Sequence, residues 1–428
     1  MPPIPESPPG KQILVLGAGF GGLTFCQSFS CPGTAVTLVD RQNHHLFQPL
    51  LYQVATAGLS APEIAQPIRS ILRGKRTVTV LLRDITSVDL ERREAQFDGG
   101  ALPYDYLVLA LGAVTSYFGH PEWEQLAPGL KSLEDALRIR SQILLSFELA
   151  EDATSPAERE GLMTIVVIGG GPTGVELAGA FAELTRHVLR RDFRRIDPSQ
   201  ARVVLIEGGP RLLAHFSPHL SEKAAARLRK LGVEVRTGVH VQSLGKDFVQ
   251  LTDGARIQSA NIIWAAGVAA HPLSRKLSVT VDRAGRVQVN PDLSVPGHPE
   301  VFVIGDMALV LDKHQEPVPG VSPAAMQMAR HVARIIRDEV RDKAARSARP
   351  AFKYWDKGMM ATIGRSAAVA QVGWIQISGW LAWASWLLVH LIFLIGFRNK
   401  LAVMLQWTYS YFTYKRGSRI ITQTARSP

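Results

Sequence analysis

Apolar and polar positions along the chain alternate between short runs of strand length and longer stretches with helical spacing. Near the N-terminus the apolar run KQILVL passes into glycines and then a helical pattern, and the same order returns at TIVVIGGGPTGVELAGAF. Alternating strands and helices predict an α/β fold built on parallel sheets. The pattern changes late in the chain, where residues 377–397 (ISGWLAWASWLLVHLIFLIGF) contain no Asp, Glu, Lys or Arg.

The first strand-glycine-helix stretch has the spacing of a dinucleotide clamp. Gly17 permits a tight turn, Gly19 lets the backbone approach a pyrophosphate, and Gly22 lets helix and strand pack closely. The helix N-terminus adds free amides and partial positive charge, which attract phosphate. A second strand, AVTLVD, ends in Asp40, which is placed to accept a hydrogen bond from a ribose hydroxyl.

A second clamp follows the same plan. Its glycines are Gly169, Gly171 and Gly174, and the next strand, in ARVVLIEGG, ends in Glu207. Because a carboxylate repels a 2′-phosphate, we expect this site to prefer NADH to NADPH. Arg211 nearby weakens that preference slightly.

Three further segments indicate which cofactor each clamp holds. YDYLVLALGAVT and IIWAAGV are apolar strands that run into small residues, which let the backbone lie close to a flat ring. PEVFVIGDMA places Gly305 and Asp306 after another strand, and in flavoproteins with two dinucleotide sites such a pair holds the ribityl and phosphate part of FAD. In this order the motifs predict FAD at the first clamp and NAD(H) at the second.

Composition narrows the possible partners. The chain has 428 residues, 46% of them hydrophobic and 20% charged, as expected for a folded protein of two or three domains. The net charge of +11 is compatible with nucleic acid, anionic lipid or anionic cofactors. The sequence has no zinc spacing, helix-turn-helix pattern or Arg-Gly-rich arm, so we expect no nucleic-acid partner. The basic excess fits a cytoplasmic membrane face better.

The two cysteines, Cys26 and Cys31, have the Cys-x4-Cys spacing of flavin-dependent disulfide reductases. In those enzymes the pair lies well downstream of the first glycine motif, whereas here it lies inside and just past the first clamp's helix. We therefore predict two reduced thiols and a cytoplasmic protein. His44 and His45 are adjacent and lack a helical ligand spacing, so we expect them to pack and predict no metal site.

These motifs resemble those of the single-subunit, non-proton-pumping type II NADH:quinone oxidoreductases, from about Lys11 to about Arg419. FQPLLYQVATAGLSAPEIAQPIR is similar to the family's segment along the flavin, and GGGPTGVELAGAFAEL to its NADH motif. PGVSPAAMQMARHVA occupies the position of its quinone motif, Ala-Gln-x-Ala-x-Gln. YWDKGMMATIGRSAAVA and the Trp-rich run after it are similar to the family's C-terminal region.

The resemblance implies an enzyme that passes hydride from NADH to FAD and then two electrons to a membrane quinone, ubiquinone or menaquinone. It also implies a homodimer. Two alternatives remain open. A sulfide:quinone oxidoreductase would need redox cysteines near the flavin, and a non-catalytic, membrane-docked NADH-binding protein would keep the clamps without turnover.

Candidate residues follow for each ligand. For FAD they are Gly17, Gly19, Phe20, Gly22, Asp40, Arg41, Gln48, Ala110, Gly112, Gly305, Asp306 and Gln327. For NADH they are Gly169, Gly171, Pro172, Thr173, Gly174, Glu176, Glu207, Ala266 and Gly267. For the quinone they are Ala325, Gln327, Lys357 and Met360, and the candidate catalytic residues are Glu176, Gln327 and Lys357.

Three of these assignments carry a qualification from the residues themselves. Glu176 could serve a proton network or simply be an acid favoured near a helix N-terminus. Lys357 could neutralise reduced flavin, orient a quinone carbonyl or lie on the surface. The quinone motif begins Ser322-Pro323 where the family has Ala-Gln, which leaves Gln327 and the backbone to hydrogen-bond the quinone.

The apolar segment 377–397 is about long enough to span ~30 Å as a helix. A single span would export the basic cluster Lys415, Arg416 and Arg419, against the positive-inside tendency. NKLAVMLQWTYSYFTYKRGSR is aromatic-rich with a basic end, as expected of an interfacial helix. We therefore predict two helices that lie on or dip into one leaflet, with a true span and a soluble dimer core as the alternatives.

The order of motifs predicts the domains. Residues 1–10 form a flexible Pro-rich leader without signal-peptide features. The FAD domain is split between residues 11–120 and 280–350, the NADH domain is its insert at 121–279, and residues 351–428 form the membrane-associating region.

Overall fold

The structure is a computed structural model that describes residues 10–342, 349–413 and 416–421. The predicted leader, apart from Gly10, and Lys415 of the basic cluster lie outside the described residues. Strands and helices alternate through much of the described chain, and each clamp follows a strand that pairs in parallel with both of its neighbours. The predicted α/β class is confirmed.

The helices follow one another in this order: α1 (Phe20–Ser28), α2 (Leu51–Ala55), α3 (Ala61–Ile64), α4 (Ile68–Ile71), α5 (Trp123–Leu126), α6 (Leu133–Asp152), α7 (Pro156–Met163), α8 (Pro172–Glu183), α9 (Pro218–Lys230), α10 (Ser322–Arg341), α11 (Trp380–Phe393) and α12 (Phe397–Thr413). The long helix α6 begins with a capping box, in which Ser132 Oγ accepts a 3.1 Å hydrogen bond from the amide of Asp135.

The strands follow one another in this order: β1 (Lys11–Leu16), β2 (Thr34–Asp40), β3 (His44–Leu46), β4 (Ala65–Pro67), β5 (Val78–Leu82), β6 (Ile85–Asp89), β7 (Glu94–Phe97), β8 (Gly100–Pro103), β9 (Tyr106–Leu109), β10 (Ala113–Thr115), β11 (Thr164–Ile168), β12 (Arg202–Glu207), β13 (Val233–Thr237), β14 (Val241–Leu244), β15 (Phe248–Leu251), β16 (Arg256–Gln258), β17 (Asn261–Trp264), β18 (Val268–Ala270), β19 (Val287–Gln288), β20 (Ser294–Val295), β21 (His298–Val303), β22 (Ala308–Leu309), β23 (Met359–Thr362), β24 (Ala368–Val372) and β25 (Ile375–Gly379).

One compact unit comprises Met1–His45, Gln66–Val114 and Val268–Lys357. Its main sheet has the strand order β20-β21-β9-β1-β2-β5, with β1 parallel to both β9 and β2. The last four residues of β1 are buried, which explains its continuous apolar run. Helices α1 and α10 pack against each other in this unit. The first glycine motif and the Gly-Asp pair follow the carboxyl ends of β1 and β21.

The other unit comprises Leu46–Ala65, Thr115–Gly267 and Gly358–Pro428. Its four-stranded parallel sheet has the order β13-β12-β11-β17, and every residue of β11 is buried. Helix α8 follows β11 directly and packs against β11, β12 and β13. The arrangement repeats strand, glycines, helix and acid-ended strand, so the second clamp has the same local plan as the first.

The C-terminal part of this second unit is a three-stranded antiparallel sheet, β23-β24-β25, followed by two helices. The predicted pair of helices is present. The first begins at Trp380 because residues 377–379 lie in β25 and pair with residues 368–370 of β24. It ends at Phe393, shortly before Gly396 with its positive φ of 86°. Among the residues that the structure describes, no helix combines the length and apolar character needed to cross a membrane.

The compact units do not follow the predicted domain borders. The predicted borders lie at residues 120, 280 and 350, whereas the units change at His45, Ala65, Val114, Gly267 and Lys357. Most of the predicted membrane-associating region belongs to the same unit as the second clamp. The functional domain assignment stays a prediction.

Candidate functional site

The first clamp has a backbone geometry that only glycine accommodates. Gly17 has φ of 98°, and a Cβ there would collide with the carbonyl of Ala110. A Cβ at Gly22 would collide with the carbonyl of Gly17. Gly19 differs, because a Cβ there would meet no atom within 4 Å. The open space at Gly19, next to the N-terminus of α1, is where a pyrophosphate would approach the backbone.

Asp40 ends β2 and is held by the backbone. Its Oδ2 accepts a 2.6 Å hydrogen bond from the amide of Ala18, and its Oδ1 accepts a 2.7 Å bond from Gln42. Each carboxylate oxygen can accept a further hydrogen bond, so Asp40 can still accept one from a ribose hydroxyl. Arg41, the next candidate, is exposed.

His45 is a residue of this clamp whose role the sequence did not suggest beyond packing. It is 2% exposed, its Nδ1 lies 2.9 Å from the carbonyl oxygen of Ala18, and its ring contacts the Phe20 ring edge-to-face. Burial lowers the pKa of His45, which favours the neutral ring. Its Nε2 is buried and has no hydrogen-bond partner among the described residues. A buried unpaired nitrogen beside the glycine loop fits a site built for a polar cofactor.

The Gly-Asp pair lines a small cavity in the same unit. Gly305 has φ of 70° and opens a 3-10 turn that includes Asp306. Both residues line a cavity of about 130 Å³, together with Ala113 and Ala324. The other FAD candidates near here, Ala110 and Gly112, follow β9, and Gly112 also has a positive φ of 72°.

The departure in the quinone motif has a structural reason. Helix α10 begins at Ser322, and Pro323 lies in its first turn, where a missing amide costs no helical hydrogen bond. Ala325 is buried on this helix.

Gln327 and Lys357 meet at one residue, Trp355. The Gln327 side chain donates a 2.9 Å hydrogen bond to the Trp355 carbonyl and accepts a 3.0 Å bond from its amide. The ammonium of Lys357 lies 5.3 Å from the centre of the exposed Trp355 ring. These contacts anchor the chain after α10.

The second clamp reproduces the first. Gly169 has φ of 113°, a Cβ at Gly174 would collide with the carbonyl of Gly169, and a Cβ at Gly171 would meet nothing within 4 Å. Pro172 begins helix α8, and Thr173 beside it is exposed. The remaining NADH candidates, Ala266 and Gly267, follow β17, and Gly267 has φ of 88°.

Glu207 lies at the end of β12 with both carboxylate oxygens engaged. Oε2 accepts a 2.6 Å hydrogen bond from the amide of Gly170, and Oε1 accepts a 2.6 Å bond from Gly209. Arg211 turns away to bind the carbonyls of Phe216 and Ala214, each at 2.6 Å. Arg211 therefore has a local structural function, and the negative charge of Glu207 has no guanidinium bonded to it among the described residues.

A cavity of about 550 Å³ lies in the second unit between α8, β23 and the two C-terminal helices. Most of its wall is apolar and aromatic. The aromatic lining residues are Tyr52, Trp380, Trp383, Trp386, Trp407, Tyr411 and Phe412. The charged lining residues are Glu176, Glu183, Arg365 and Arg416. A cavity of this size and character fits a flat apolar ring with a few polar atoms.

Glu176 projects from the first turns of α8 into this cavity. Its Oε1 accepts a 3.3 Å hydrogen bond from the amide of Thr362 on β23. Burial raises the pKa of Glu176 to about 8, so the carboxyl is protonated at neutral pH. The Thr362 hydroxyl lies 3.0 Å from the hydroxyl of Tyr52, which extends the polar contacts along the wall.

The residues of the Trp-rich helix α11 do not contribute equally to the cavity wall. Trp386 is buried and stacks on His390, with 3.9 Å between ring centres. Burial lowers the pKa of His390 to about 4. Trp407 of α12 donates a 2.8 Å hydrogen bond to Oε1 of Gln53.

The two remaining candidates also lie in the second unit. Met360 on β23 is half-buried and packs against the small core of Ala368, Ala370 and Ala382. Gln48 is exposed and donates a 3.3 Å hydrogen bond to the carbonyl of Lys131.

Sequence patterns did not single out several polar residues of the cavity wall, namely Tyr52, Gln53, Glu183 and Thr362. The sequence contained only a weak signal for these residues. Tyr52 and Gln53 stand in a helix of otherwise apolar residues, where buried polar groups need partners.

Both cysteines are free and buried. Burial raises the pKa of the Cys26 thiol to about 12, which suppresses the thiolate needed for redox chemistry.

Comparison with known proteins places the chain. Residues 11–329 match the family model described as pyridine nucleotide-disulphide oxidoreductase, and residues 356–415 match the NDH2 C-terminal domain. The type II NADH:quinone oxidoreductase Ndh of Mycobacterium tuberculosis is 44% identical over 98% of this chain and 92% of that protein. The probable NADH dehydrogenase of Dictyostelium discoideum is 29% identical over 93% of this chain and 88% of that protein.

Solved structures agree in fold. The structure of NDH2 from Plasmodium falciparum in complex with NADH has a TM-score of 0.86 at 21% identity, covering 96% of this chain and 100% of that one. The sulfide:quinone oxidoreductase of Aquifex aeolicus has a TM-score of 0.69 at 18% identity, covering 97% and 93%. At these identities the likeness shows the shared fold alone.

Proposed function

This chain belongs to the type II NADH:quinone oxidoreductases, and we propose here how its own residues serve that reaction. The enzyme oxidises NADH and reduces a quinone without pumping protons. Bound FAD supplies the hydride acceptor and the two-electron carrier between the two substrates.

For FAD we propose the first clamp and its neighbours. The open space at Gly19 and the free end of α1 would receive the pyrophosphate, and Asp40 would accept a ribose hydroxyl. The unpaired Nε2 of His45 would accept a hydrogen bond from a cofactor hydroxyl, because its neutral ring has one acceptor nitrogen. Gly305 and Asp306, beside the small cavity, would hold the ribityl side.

For NADH we propose the second clamp, with Glu207 as the group that selects against NADPH. Its carboxylate is held by two backbone amides at 2.6 Å each, so it cannot easily turn away from a 2′-phosphate. Repulsion between these anions would weaken NADPH binding.

For the quinone we propose the 550 Å³ cavity, and this single feature carries the assignment. Its aromatic wall suits a quinone ring, and a protonated Glu176 on the same wall suits a reaction that must supply protons. The proposal extends to the acceptor only as a class, ubiquinone or menaquinone.

None of the predicted quinone residues Ala325, Gln327, Lys357 and Met360 lines this cavity. Their assignment to the quinone stays a prediction separate from the cavity. The double hydrogen bond between Gln327 and Trp355 supports a positioning function for Gln327. An exposed ammonium over an indole, as at Lys357, can neutralise negative charge brought near it.

We propose that the C-terminal helices dock on the cytoplasmic face of a membrane. Both helices carry exposed apolar residues, and Arg398 lies exposed in the first turn of α12. The most exposed apolar residues are Trp380, Leu381, Leu388, Ile392, Phe397, Leu405 and Phe412. Such a face is expected of a helix that lies in the interface. A homodimer is a further proposal, which sedimentation of the detergent-solubilised enzyme would test.

Docking is tested by charge placed on the exposed face. The side chain of Phe397 is 81% exposed. Phe397→Asp should therefore leave folding intact and release the enzyme from membrane vesicles. Leu149→Asp, half-exposed on α6, is the matched control and should still pellet with vesicles. Equal pelleting of both variants would contradict docking through these helices.

The colour of the bound flavin gives a test of the reaction itself. The yellow holoenzyme, mixed anaerobically with NADH, should bleach, and addition of a short-chain quinone should restore the yellow. Bleaching by sulfide in place of NADH would instead support sulfide oxidation, although the buried free cysteines oppose it.

A further inference from the structure

Arg416 is a buried cation in the wall of the large cavity. It follows α12, and its side chain is 11% exposed. Its Nη1 donates hydrogen bonds to the carbonyls of Thr56 at 2.8 Å and Ala180 at 3.4 Å, and its Nη2 reaches Oε2 of Glu183 at 3.4 Å. These contacts fix the guanidinium at the cavity wall.

The guanidinium is incompletely paired for a buried cation. It has five N–H groups, and its Nε has no acceptor among the described residues. Among the described residues its carboxylate partner is Glu183, which lies at a long 3.4 Å and also accepts a hydrogen bond from the amide of Arg365. Burying a charge with weak pairing is costly, so this arrangement needs a reason.

Other arginines in the chain show what purely structural pairing looks like. Arg349 lies between Glu339 at 2.5 Å and Asp292 at 2.9 Å and lines neither described cavity. Arg419 forms an ion pair with Asp192 outside the cavity. Arg416 differs from both, because it combines a long ion pair with a place in the cavity wall.

The chemistry of the acceptor matches this unused capacity. A quinone carries two carbonyl oxygens, and negative charge accumulates on them as electrons arrive. A fixed guanidinium that donates a hydrogen bond to one oxygen would orient the ring and stabilise that charge. The wall has two arginines. The guanidinium of Arg365 lies over the Tyr411 ring, 4.2 Å from its centre, whereas Arg416 lies on the same wall as Tyr52 and Glu176 without a described ring contact.

We propose that Arg416 is a quinone-positioning residue that donates a hydrogen bond to one quinone oxygen in this cavity. The inference rests on the proposed location of the quinone site. It assigns to the C-terminal segment a part in substrate orientation in addition to membrane docking.

The test compares Arg416→Gln and Arg416→Lys with Arg419→Gln as the matched control. FAD content, the rate of flavin reduction by NADH and the rate of flavin reoxidation by a short-chain quinone are measured for each holoenzyme. We expect Arg416→Gln to raise the quinone KM about 10-fold or more, from the loss of one charged hydrogen bond, and Arg416→Lys to recover part of it. The Arg419→Gln enzyme should match the wild type.

Two results would overturn the inference. One is an unchanged quinone KM in Arg416→Gln. The other is a parallel loss of FAD content and of both rates that Arg416→Lys does not relieve, since that marks a folding role.

A cavity-filling variant separates this inference from the proposed function. Ala384→Leu adds volume to the cavity wall without touching Arg416 chemistry. If Ala384→Leu leaves quinone kinetics unchanged, the quinone site lies elsewhere and the proposed location fails together with the inference. If it slows reoxidation while Arg416→Gln does not, the inference alone fails.

Discussion

The amide of Thr362 donates a 3.3 Å hydrogen bond to Oε1 of Glu176, across 186 residues of chain. This contact joins the helix of the second clamp to the first strand of the C-terminal sheet. It is too weak to offset burial, which raises the pKa of Glu176 to about 8. The chain thus holds a protonated carboxyl in an apolar wall at neutral pH.

A pH dependence of quinone reduction follows. Below about pH 8 Glu176 is protonated and can give up a proton in the cavity, and above it the group is ionised. The kcat for quinone reduction should therefore fall as pH rises through about 8. Glu176→Gln should lower kcat and remove this limb, whereas Glu148→Gln, exposed on α6, should retain it. An unchanged limb in Glu176→Gln would assign it to another group.

Stability should depend on the same group. The pKa of Glu176 is raised from 4.5 to about 8 in the folded protein, so the unfolded chain releases its proton first as pH rises. The contribution is present below about pH 4.5 and is lost by about pH 8. Thermal unfolding from pH 5 to 8 should show a smaller fall in Tm for Glu176→Gln than for the wild type. Equal slopes would contradict the buried protonated state.

Nucleotide preference should follow the charge of Glu207. Glu207→Gln removes the anion while the side-chain oxygen can still accept one backbone hydrogen bond, so the kcat/KM ratio of NADH to NADPH should fall by about 10-fold or more. The control is Glu222→Gln, exposed on α9, which should leave the ratio unchanged. Steady-state kinetics with both nucleotides measures it, and a constant ratio in Glu207→Gln would remove this residue as the selector.

A substitution at Gly19 should weaken FAD binding while it leaves the fold largely intact. A Cβ there meets no protein atom within 4 Å, so Gly19→Ala, at the N-cap of α1, should lower the free energy of unfolding of the cofactor-free protein by no more than about 1 kcal/mol. If a pyrophosphate approaches this backbone, FAD affinity should drop about 10-fold or more. Flavin titration measures the affinity. Gly74→Ala also meets open space and should bind FAD normally.

The buried ion pairs of Arg349 should contribute more to the free energy of unfolding than an exposed ion pair does. The guanidinium of Arg349 is buried between Glu339 at 2.5 Å and Asp292 at 2.9 Å, so Arg349→Leu leaves the buried Glu339 and the partly buried Asp292 without their cation. We expect a loss of about 3–5 kcal/mol in the free energy of unfolding by urea. Arg92→Leu, which removes an exposed pair with Asp89 at 3.8 Å, should cost less than about 1 kcal/mol. Similar losses for both variants would contradict this ranking.

Local motifs explain why the clamps could be predicted. Gly17 and Gly169 follow a strand and precede a helix, and their φ of 98° and 113° is a property of a few adjacent residues. The acids Asp40 and Glu207 end the neighbouring strands, which parallel pairing brings beside the glycines. The helical nature of the C-terminal tail was also predictable. The start of α11 could not be predicted, because residues 377–379 are held in β25 by pairing with β24.

The amino-acid sequence by itself determined the α/β class, the two nucleotide clamps and the family, because these depend on short-range spacing of glycines, acids and apolar runs. Only the tertiary structure decided the large cavity that we propose for the quinone. Its wall draws Tyr52, Glu176, Thr362 and Arg416 from four distant segments, and no local periodicity encodes that meeting. It also decided which charges are unusual: Glu176 holds its proton and Arg416 has spare donors because packing removes water from both.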